Sequence, residues 1–545
     1  MSEEKKSLNF IEQIIEEDLA NGMPKENLRF RFPPEPNGYL HIGHTKAIGI
    51  SFGLGKQYNA PVNLRFDDTN PAKEEQEYVD AIKNDITWLG YEWANELYSS
   101  DYFQQLYDWA ILMVKEGKAY VDSQSSEEMR EQKGTPTEPG TNSPFRNRSV
   151  AENLDLFEKM KAGAFQEGEH ILRAKIDMAS PNMLLRDPIM YRVLYKEHHR
   201  TGNDWNIYPM YDWTHGESDY IEQISHSLCS LEFKPHRDLY NWFRDHVYEY
   251  GKEQFPTPPK QREFSRLNLS YTIMSKRKLM RLVEGGVVSG WDDPRMPTLS
   301  GMRKRGYTAS SIRDFCSRVG ITKKDKSIQM ALLENSVRED LDINSPRRMA
   351  VIEPLKIIIK NYDSDEVEYV DAVNHPKNPE MGKRKMAFGK ELYIERTDFM
   401  EDPPKKFFRL APGKEVRLKH AYIIKCEEVI KDSNENITEL KCTYDPDSKT
   451  GGSTAGRKIK GTLHWVSAQH AKKAEVRMYN HLFVNENPAH DQGHPTLNSG
   501  LNTDSLEILR DCRIEPALEE AKPGDRFQFL RMGYFCADSK EFTPD

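Results

Sequence analysis

No stretch of this 545-residue chain comes near the roughly 18 consecutive apolar residues that a membrane span requires. Met1 to Leu8 holds no apolar core of the kind an export signal needs. Cysteine is sparse. Cys229, Cys316, Cys426, Cys442, Cys512 and Cys536 are scattered with no C-x-x-C pair. That spacing argues against a zinc ribbon or a disulfide framework and for a reducing compartment. Positive charge is in deficit, with 77 Lys and Arg against 86 Asp and Glu and a net charge of −9. A globally basic surface is therefore excluded, and any polyanion must meet local basic patches. No internal repeat is visible. Together these absences predict a soluble cytoplasmic protein with no membrane partner.

What is present divides by texture. A chain of this length exceeds a single core and predicts about two to four domains. Ile11, Ile14, Ile15 and Leu19 share a helical face, with Gly22 as a stop. Residues 1–100 continue as strand, helix, strand and helix. Leu28 to Phe32 is the first strand, the helical pattern begins near Ile42, and Val62 to Phe66 is the second strand. Asp67 and Asp68 follow at the carboxyl end of that strand, where open α/β sheets hold ligands. Residues 101–210 carry a polar middle, Gly134 to Arg148, between helical patterns. They read as an insertion into a doubly wound parallel sheet whose second half is 211–265. Residues 266–342 are helical and basic. After Pro346 come short alternating runs, such as Val351 to Ile359, Lys414 to Lys425 and Ile459 to Val466. Turns such as Lys449-Thr450-Gly451-Gly452 separate them, which predicts β-barrels or sandwiches over 343–545. The fold class is thus α/β plus all-β.

Two segments carry chemistry. Pro33-Pro34-Glu35-Pro36-Asn37-Gly38-Tyr39-Leu40-His41-Ile42-Gly43-His44 lies where a strand gives way to a helix. That geometry aims unpaired backbone N–H groups at an anion. Gly43 leaves room for a flat ring on the backbone, and His41 and His44 can donate to phosphate oxygens. As a bare pattern, His-x-x-His is equally a metal pair or two satisfied histidines. The second segment is Tyr271-Thr272-Ile273-Met274-Ser275-Lys276-Arg277-Lys278, after the apolar run Phe264 to Leu269. Lys260 to Arg281 holds seven basic residues and only Glu263 as an acid. On charge alone this is a solvated face. Its position suits a mobile loop that brings Lys276 onto a polyphosphate.

His41-Ile42-Gly43-His44 and Met274-Ser275-Lys276-Arg277 resemble the HIGH and KMSKS signatures of class I aminoacyl-tRNA synthetases. The Pro33 to Gly38 lead-in is similar to the glutamyl/glutaminyl branch. Arg65-Phe66-Asp67-Asp68-Thr69-Asn70-Pro71, Tyr208-Pro209-Met210-Tyr211-Asp212 and His226 to Phe233 resemble its glutaminyl side. The resemblance covers nearly the whole chain. It implies a Rossmann-like catalytic core (1–100 and 211–265), an inserted acceptor-stem-binding domain (101–210) and a helical subdomain carrying the lysine loop (266–342). Two antiparallel anticodon-binding β-barrels would follow (343–545). It implies a monomer that activates glutamine with ATP, accompanied by Mg²⁺ but no protein-held metal, and charges tRNA-Gln. A glutamyl or non-discriminating synthetase is the nearest alternative. A small-molecule nucleotidyltransferase would leave the β-rich half without a role, and a non-catalytic relative would be expected to lose His41, His44 or Lys276.

Residue by residue, the resemblance implies that His41, His44 and Lys276 act catalytically. Glu35, Pro36, Asn37, Ile42, Gly43, Thr45, Lys46, Ala47, Ser230, Arg266, Leu267, Met274 and Ser275 would join them around ATP. Asp67 is the candidate for the amino acid's α-ammonium, as the one fixed anion of the site; its plain alternative is to cap a turn. Arg31 could reach a carbonyl or carboxylate. The Tyr211 hydroxyl can both donate to and accept from a side-chain amide. Cys229 reads by itself as packing in an apolar helix. Related glutamyl enzymes tend to carry arginine there, so the resemblance makes this thiol a wall of a neutral amide pocket. For tRNA the candidates are Thr322, Lys323, Lys324, Arg347, Arg409, Arg417 and Gln528. Pro136, Lys234-Pro235 and Phe408 depart from the family pattern and bear on identity rules, not on the reaction. Relatives continue past Gly533 to Cys536, which implies a terminal strand beyond Asp545.

Overall fold

A computed structural model of the protein describes residues 7–72, 75–362, 367–449, 452–488 and 500–542. Thr450 and Gly451, in one expected turn, and most of Met1 to Leu8 lie outside these. The chain folds as two compact units. The first comprises Met1–Ser270, Met274–Lys278 and Ile312–Gln329; the second comprises Tyr271–Ile273, Leu279–Ser311 and Met330–Asp545.

In the first unit, Asn9 opens the helix Phe10–Ala20 through a reciprocal cap with Glu12. Phe30–Phe32, Val62–Phe66 and Glu96–Tyr98 form a parallel sheet, with Phe30 opposite Val62 and Leu64 opposite Glu96. Every residue of Val62–Phe66 is buried, as expected of a strand covered on both faces. The helix Ile42–Tyr58 links the first two strands and ends at Asn59, whose φ of 53° is left-handed. His226–Ser230 pairs in parallel with Lys260–Phe264. The Ser225 N–H donates to Arg29 O at 3.1 Å, which sets this pair beside Phe30–Phe32. The carboxyl ends of Phe30–Phe32 and His226–Ser230 therefore open together.

A four-stranded antiparallel sheet follows the chain order: Ala119–Asp122, Ile171–Ala174, Ile189–Val193 and Ile207–Pro209. Its core is aromatic, with Phe103, Phe157, Tyr191, Tyr208 and Trp213 buried together.

In the second unit a seven-stranded sheet runs from Thr462–Leu463 at one edge to Val466–Ser467 at the other. Trp465, Ile357, Leu392, Ile394, Leu418 and Cys442 fill its core. The sheet is mixed rather than antiparallel throughout. Pro354–Ile359 runs parallel to Ile437–Asp445, and Glu415–Leu418 parallel to Thr462–Leu463. Two three-stranded sheets accompany it. One joins Arg347–Arg348, Arg526–Phe529 and Gly533–Cys536; the other joins Ala350–Val351, Leu506–Ile514 and Lys472–Tyr479.

Two local expectations are corrected. Cys229 lies in the strand His226–Ser230, not in a helix. The segment reads His-Ser-Leu-Cys-Ser and is buried from His226 to Cys229, so no apolar/polar alternation marks it as a strand. Lys276 opens the helix Lys276–Glu284 rather than sitting in a loop, because Leu279 and Leu282 give this basic run a buried face.

Candidate active site

The turn from Phe32 to Ile42 is built so that two rings cap one helix. The Gly43 N–H donates to His41 Nδ1 at 3.1 Å, and the His41 N–H donates to His44 Nδ1 at 3.0 Å. Both Nδ1 atoms are thus acceptors, so each neutral ring carries its proton on Nε2. The ring centroids are 3.9 Å apart. Burial drives the His44 pKa down to about 4, and burial with the neighbouring His44 pushes His41 well below the usual histidine value. Two neutral N–H donors therefore stand beside the first turn of a helix.

Lys276 meets the same turn. Its Nζ donates to Asn37 Oδ1 at 3.2 Å and lies 5.3 Å from the centre of the Tyr78 ring. Asn37 is oriented by its own bond to Glu35 Oε2 at 2.5 Å. Two glycines permit these approaches. A Cβ on Gly38 would lie 2.7 Å from Lys276 Cε. One on Gly43 would lie 2.8 Å from the His41 ring and 2.9 Å from Met274 Sδ. The Gly43 backbone, expected to receive a flat ring, is here approached by Met274.

Around this turn, Ile42 and Leu267 are buried, Pro36 packs its backbone against Glu75, and Ala47 is half-buried. The Thr45 hydroxyl returns to Ile42 O at 2.6 Å, and Lys46 Nζ reaches Ser265 Oγ at 2.7 Å. Ser230 Oγ donates to Glu232 Oε1 at 2.8 Å, and the exposed Arg266 spans Asp325 and Glu232. Ser275 is exposed.

The expected amino-acid residues sit in a buried ionic network. Arg31 is fully buried and donates to Asp219 Oδ1 (3.0 Å), Leu228 O (2.6 Å) and Ser227 Oγ (2.7 Å). Arg65 donates to the same Asp219 oxygen at 2.7 Å and to Asp67 Oδ1 at 3.1 Å. Burial opposes ionisation of Asp219, but Arg31, Arg65 and His215 outweigh it and hold its carboxyl far below the usual range. Asp67 is likewise held down against burial, chiefly by Arg65. His215 Nε2 lies 3.0 Å from Arg31 Nη2, and its Nδ1 lies 3.5 Å from Asp67 Oδ2. Arg65 Nη2 lies 3.4 Å from the same Nδ1, so the ring sits between both arginines and Asp67.

Asp67 is therefore not the only fixed anion, as the sequence suggested; Asp219 is buried and shares Arg65 with it, whereas burial raises the Glu222 pKa to about 7. Asp219 is spent on two arginines, which leaves Asp67 as the carboxylate at the strand end. Asp68 takes the capping role instead, accepting from Ser100 N at 2.8 Å and Ser100 Oγ at 2.6 Å.

Tyr211 stacks on His215, with centroids 4.9 Å apart, and packs on Phe233. Burial and the Asp67 charge keep its hydroxyl protonated. Cys229 is buried and its pKa is pushed up to about 12 by burial, so it is a neutral thiol. Asp67, Cys229 and Arg31 all act electrostatically on the Tyr211 hydroxyl. Arg31, Asp67, Tyr211 and Cys229 thus share one locus. His215 and Asp219 were not singled out from the sequence. The signal was there: Tyr211, His215 and Asp219 are spaced i, i+4, i+8 on the helix Tyr211–Ile221.

One group among the described residues has metal-ligand composition: Asp68, His198 and His199. His198 Nδ1 accepts the Arg200 and Thr201 N–H groups, and its Nε2 faces Asp68 O at 2.7 Å. That tautomer has no lone pair on Nε2 for an ion.

The candidates for RNA are spread over both units. Ser265 binds Thr322 through backbone and hydroxyl, Lys323 Nζ lies over the Phe10 ring, and Lys324 is exposed. In the second unit Arg347 and Gln528 are direct partners across paired strands. Arg347 is buried and bound to Asp342, Arg417 donates to Ser448 O and Ala455 O, and Arg409 is exposed beside Asp398.

Comparison with known proteins is in keeping with this layout. Residues 27–343 match the catalytic domain of class I tRNA synthetases (E and Q), and residues 345–445 and 462–538 match their anticodon-binding domains. A protein from Pseudomonas syringae pv. tomato named glutamine–tRNA ligase is 54% identical over 98% of this chain and 93% of its own. A Salmonella newport protein of the same name is 54% identical over 100% of this chain and 97% of its own. A solved glutamate tRNA ligase from Elizabethkingia meningosepticum matches at 16% identity and a TM-score of 0.42, over 59% of this chain and 70% of that one, and adds nothing to the assignment. The chain belongs to the class I tRNA synthetases of the E and Q group.

Proposed function

We propose that this chain is a glutamine–tRNA ligase, activating glutamine with ATP to glutaminyl-adenylate and pyrophosphate and passing glutamine to the terminal adenosine of tRNA-Gln. The observation that carries this reading is 54% identity, over nearly the full length of both chains, to curated glutamine–tRNA ligases.

The site chemistry follows from the residues. Glu35 to Asn37 and His41 to Ala47 hold ATP, with Ser230, Arg266, Leu267, Met274 and Ser275 around it. Mg²⁺ comes as part of the nucleotide substrate, because it keeps its waters and prefers phosphate oxygens. In-line attack by the glutamine carboxylate on the α-phosphate needs positioning and charge neutralisation rather than a covalent catalyst. His41 and His44 offer Nε2–H donors to the phosphates, and Lys276 meets charge that grows on them. Asp67 takes the α-ammonium, with Arg65 and His215 fixing its orientation. Tyr211 bonds the side-chain amide, and the neutral Cys229 supplies no cation for a glutamate carboxylate. Arg31 contributes mainly by holding Asp219 and the strand Phe30–Phe32 in place.

For RNA, Arg347, Arg409, Arg417 and Gln528 are assigned to the anticodon, and Thr322, Lys323 and Lys324 to the inner side of the tRNA. The strand arrangement of the first unit supports a doubly wound parallel sheet, entered by an acceptor-stem domain at 101–210 and completed at 211–265. A helical subdomain at 266–342 and two β-barrels at 343–545 complete the layout. The reading includes a cytoplasmic monomer; no helix among the described residues is long and apolar enough to cross a membrane. Aminoacylation of tRNA-Gln and tRNA-Glu with each amino acid tests it. Charging of tRNA-Gln with glutamine alone is expected. Glutamate on either tRNA would make the chain a glutamyl or non-discriminating synthetase.

A further inference from the structure

Cys426 and Cys442 are direct partners across the antiparallel strands Ile423–Lys431 and Ile437–Asp445 of the second unit. Both are fully buried in its core. Their backbones point apart. The Cys426 N–H donates to Lys414 O at 3.3 Å, and its carbonyl accepts from the Gly413 N–H at 2.8 Å. The Cys442 carbonyl accepts from the Lys360 N–H at 2.7 Å, on the opposite side. Neither backbone is turned toward the other, which marks a non-hydrogen-bonded antiparallel pair. In such pairs the Cα atoms approach to about 4.5 Å and the side chains come closest. A disulfide spans Cα separations of roughly 4.4–6.8 Å.

The two thiols interact directly, and Cys442 holds the Cys426 thiol below its ordinary value. Cys426 also borders a bulge: the register shifts between Cys426 and Glu428. The ladder is irregular there, with one residue left unpaired beside Cys426. The other cysteines have no facing thiol. Cys229 pairs with Glu263, Cys512 with Ala474 and Cys536 with Arg526, while Cys316 lies against Thr45.

We propose that Cys426 and Cys442 form an oxidation site, a cross-strand dithiol that a peroxide closes to an intrachain disulfide. The Cys426 thiolate attacks one peroxide oxygen. The S–O bond forms as the O–O bond breaks, giving a sulfenic acid, and the departing hydroxide leaves as water after taking a proton. The Cys442 sulfur then attacks the sulfenic sulfur; the S–S bond forms, the S–O bond breaks and a second water leaves. Two thiols lose two electrons and two protons, and one peroxide becomes two waters. A reducing compartment returns the pair to thiols, so the change is reversible.

The test treats the full chain with hydrogen peroxide under native conditions, alkylates remaining thiols, digests without reductant and maps linked peptides. The expected result is one cross-linked pair joining Cys426 to Cys442, loss of two alkylatable thiols per chain, and recovery of both with dithiothreitol. In Cys442→Ser, Cys426 should stop at the sulfenic acid and be trapped by dimedone. Absence of the 426–442 link in the unsubstituted chain overturns the proposal, whether both thiols stay reduced or Cys426 pairs elsewhere.

Discussion

Under the proposed function, Cys229 separates two substrates of nearly equal shape. A neutral thiol beside the Tyr211 hydroxyl leaves a glutamate carboxylate desolvated and unpaired, a penalty of several kcal/mol in a buried site. Cys229→Arg supplies the missing cation, so the ratio of kcat/KM for glutamate over glutamine should rise at least about tenfold with tRNA-Gln saturating. An unchanged ratio removes Cys229 from the pocket. His44→Ala and Lys276→Ala should each cost roughly 2–4 kcal/mol of transition-state stabilisation, seen in pyrophosphate exchange as a fall in turnover with little change in ATP affinity. The low His44 value also has a sign for stability. Its folded pKa, about 4, lies below the ordinary 6.5, so the unfolded chain binds the extra proton between those values. The contribution is complete above pH 6.5 and is lost as pH falls toward 4. His44→Gln should therefore flatten the fall in Tm across that window.

At the scale of elements, the turn from Pro33 into the helix Ile42–Tyr58 depends on Gly38 and Gly43, where a Cβ would lie under 3 Å from Lys276, His41 or Met274. Gly43→Ala improves helix propensity by about 0.5–1 kcal/mol but places a methyl against the His41 ring and Met274 Sδ. Adenylate formation should drop about tenfold or more while Tm falls little or rises. A large loss of Tm would show the packing to be structural instead. Much of this element was legible beforehand. Proline and glycine punctuation fixed where the strand must end, and the His-x-x-His spacing fixed which rings meet. Val62–Phe66 was readable because Val62, Leu64 and Phe66 alternate with Asn63 and Arg65 at the period of a strand. At Cys229 that alternation is missing, because the strand buries His226 and Ser227 as well as Leu228 and Cys229, and a short segment without it does not tell strand from helix. The helix at Lys276 was masked by its basic face, since only Leu279 and Leu282 point inward. The i, i+4, i+8 spacing aligns His215 and Asp219 with Tyr211 but does not give their pairing, because Arg31 and Arg65 lie on strands far away in the chain.

At the scale of the whole molecule, a net charge of −9 means that RNA affinity must come from few places. Arg409→Ala should flatten the preference of charging among anticodon variants of tRNA-Gln. An equal loss for every variant would make Arg409 a phosphate contact. The buried network also has a cost if broken. Asp219→Ala leaves Arg31 without a carboxylate partner and takes one from Arg65, and should destabilise the fold by roughly 3–5 kcal/mol, measured by urea unfolding. That network imposes a timetable on synthesis. Arg31 leaves the ribosome 188 residues ahead of Asp219. At roughly 5–20 residues per second, the arginine waits about 10–40 s for its carboxylate. Until then the strand Phe30–Phe32 cannot bury the Arg31 charge against its carboxylate, so the first hundred residues should stay protease-sensitive on stalled chains that end before Asp219. Protection should appear only once the helix Tyr211–Ile221 has emerged.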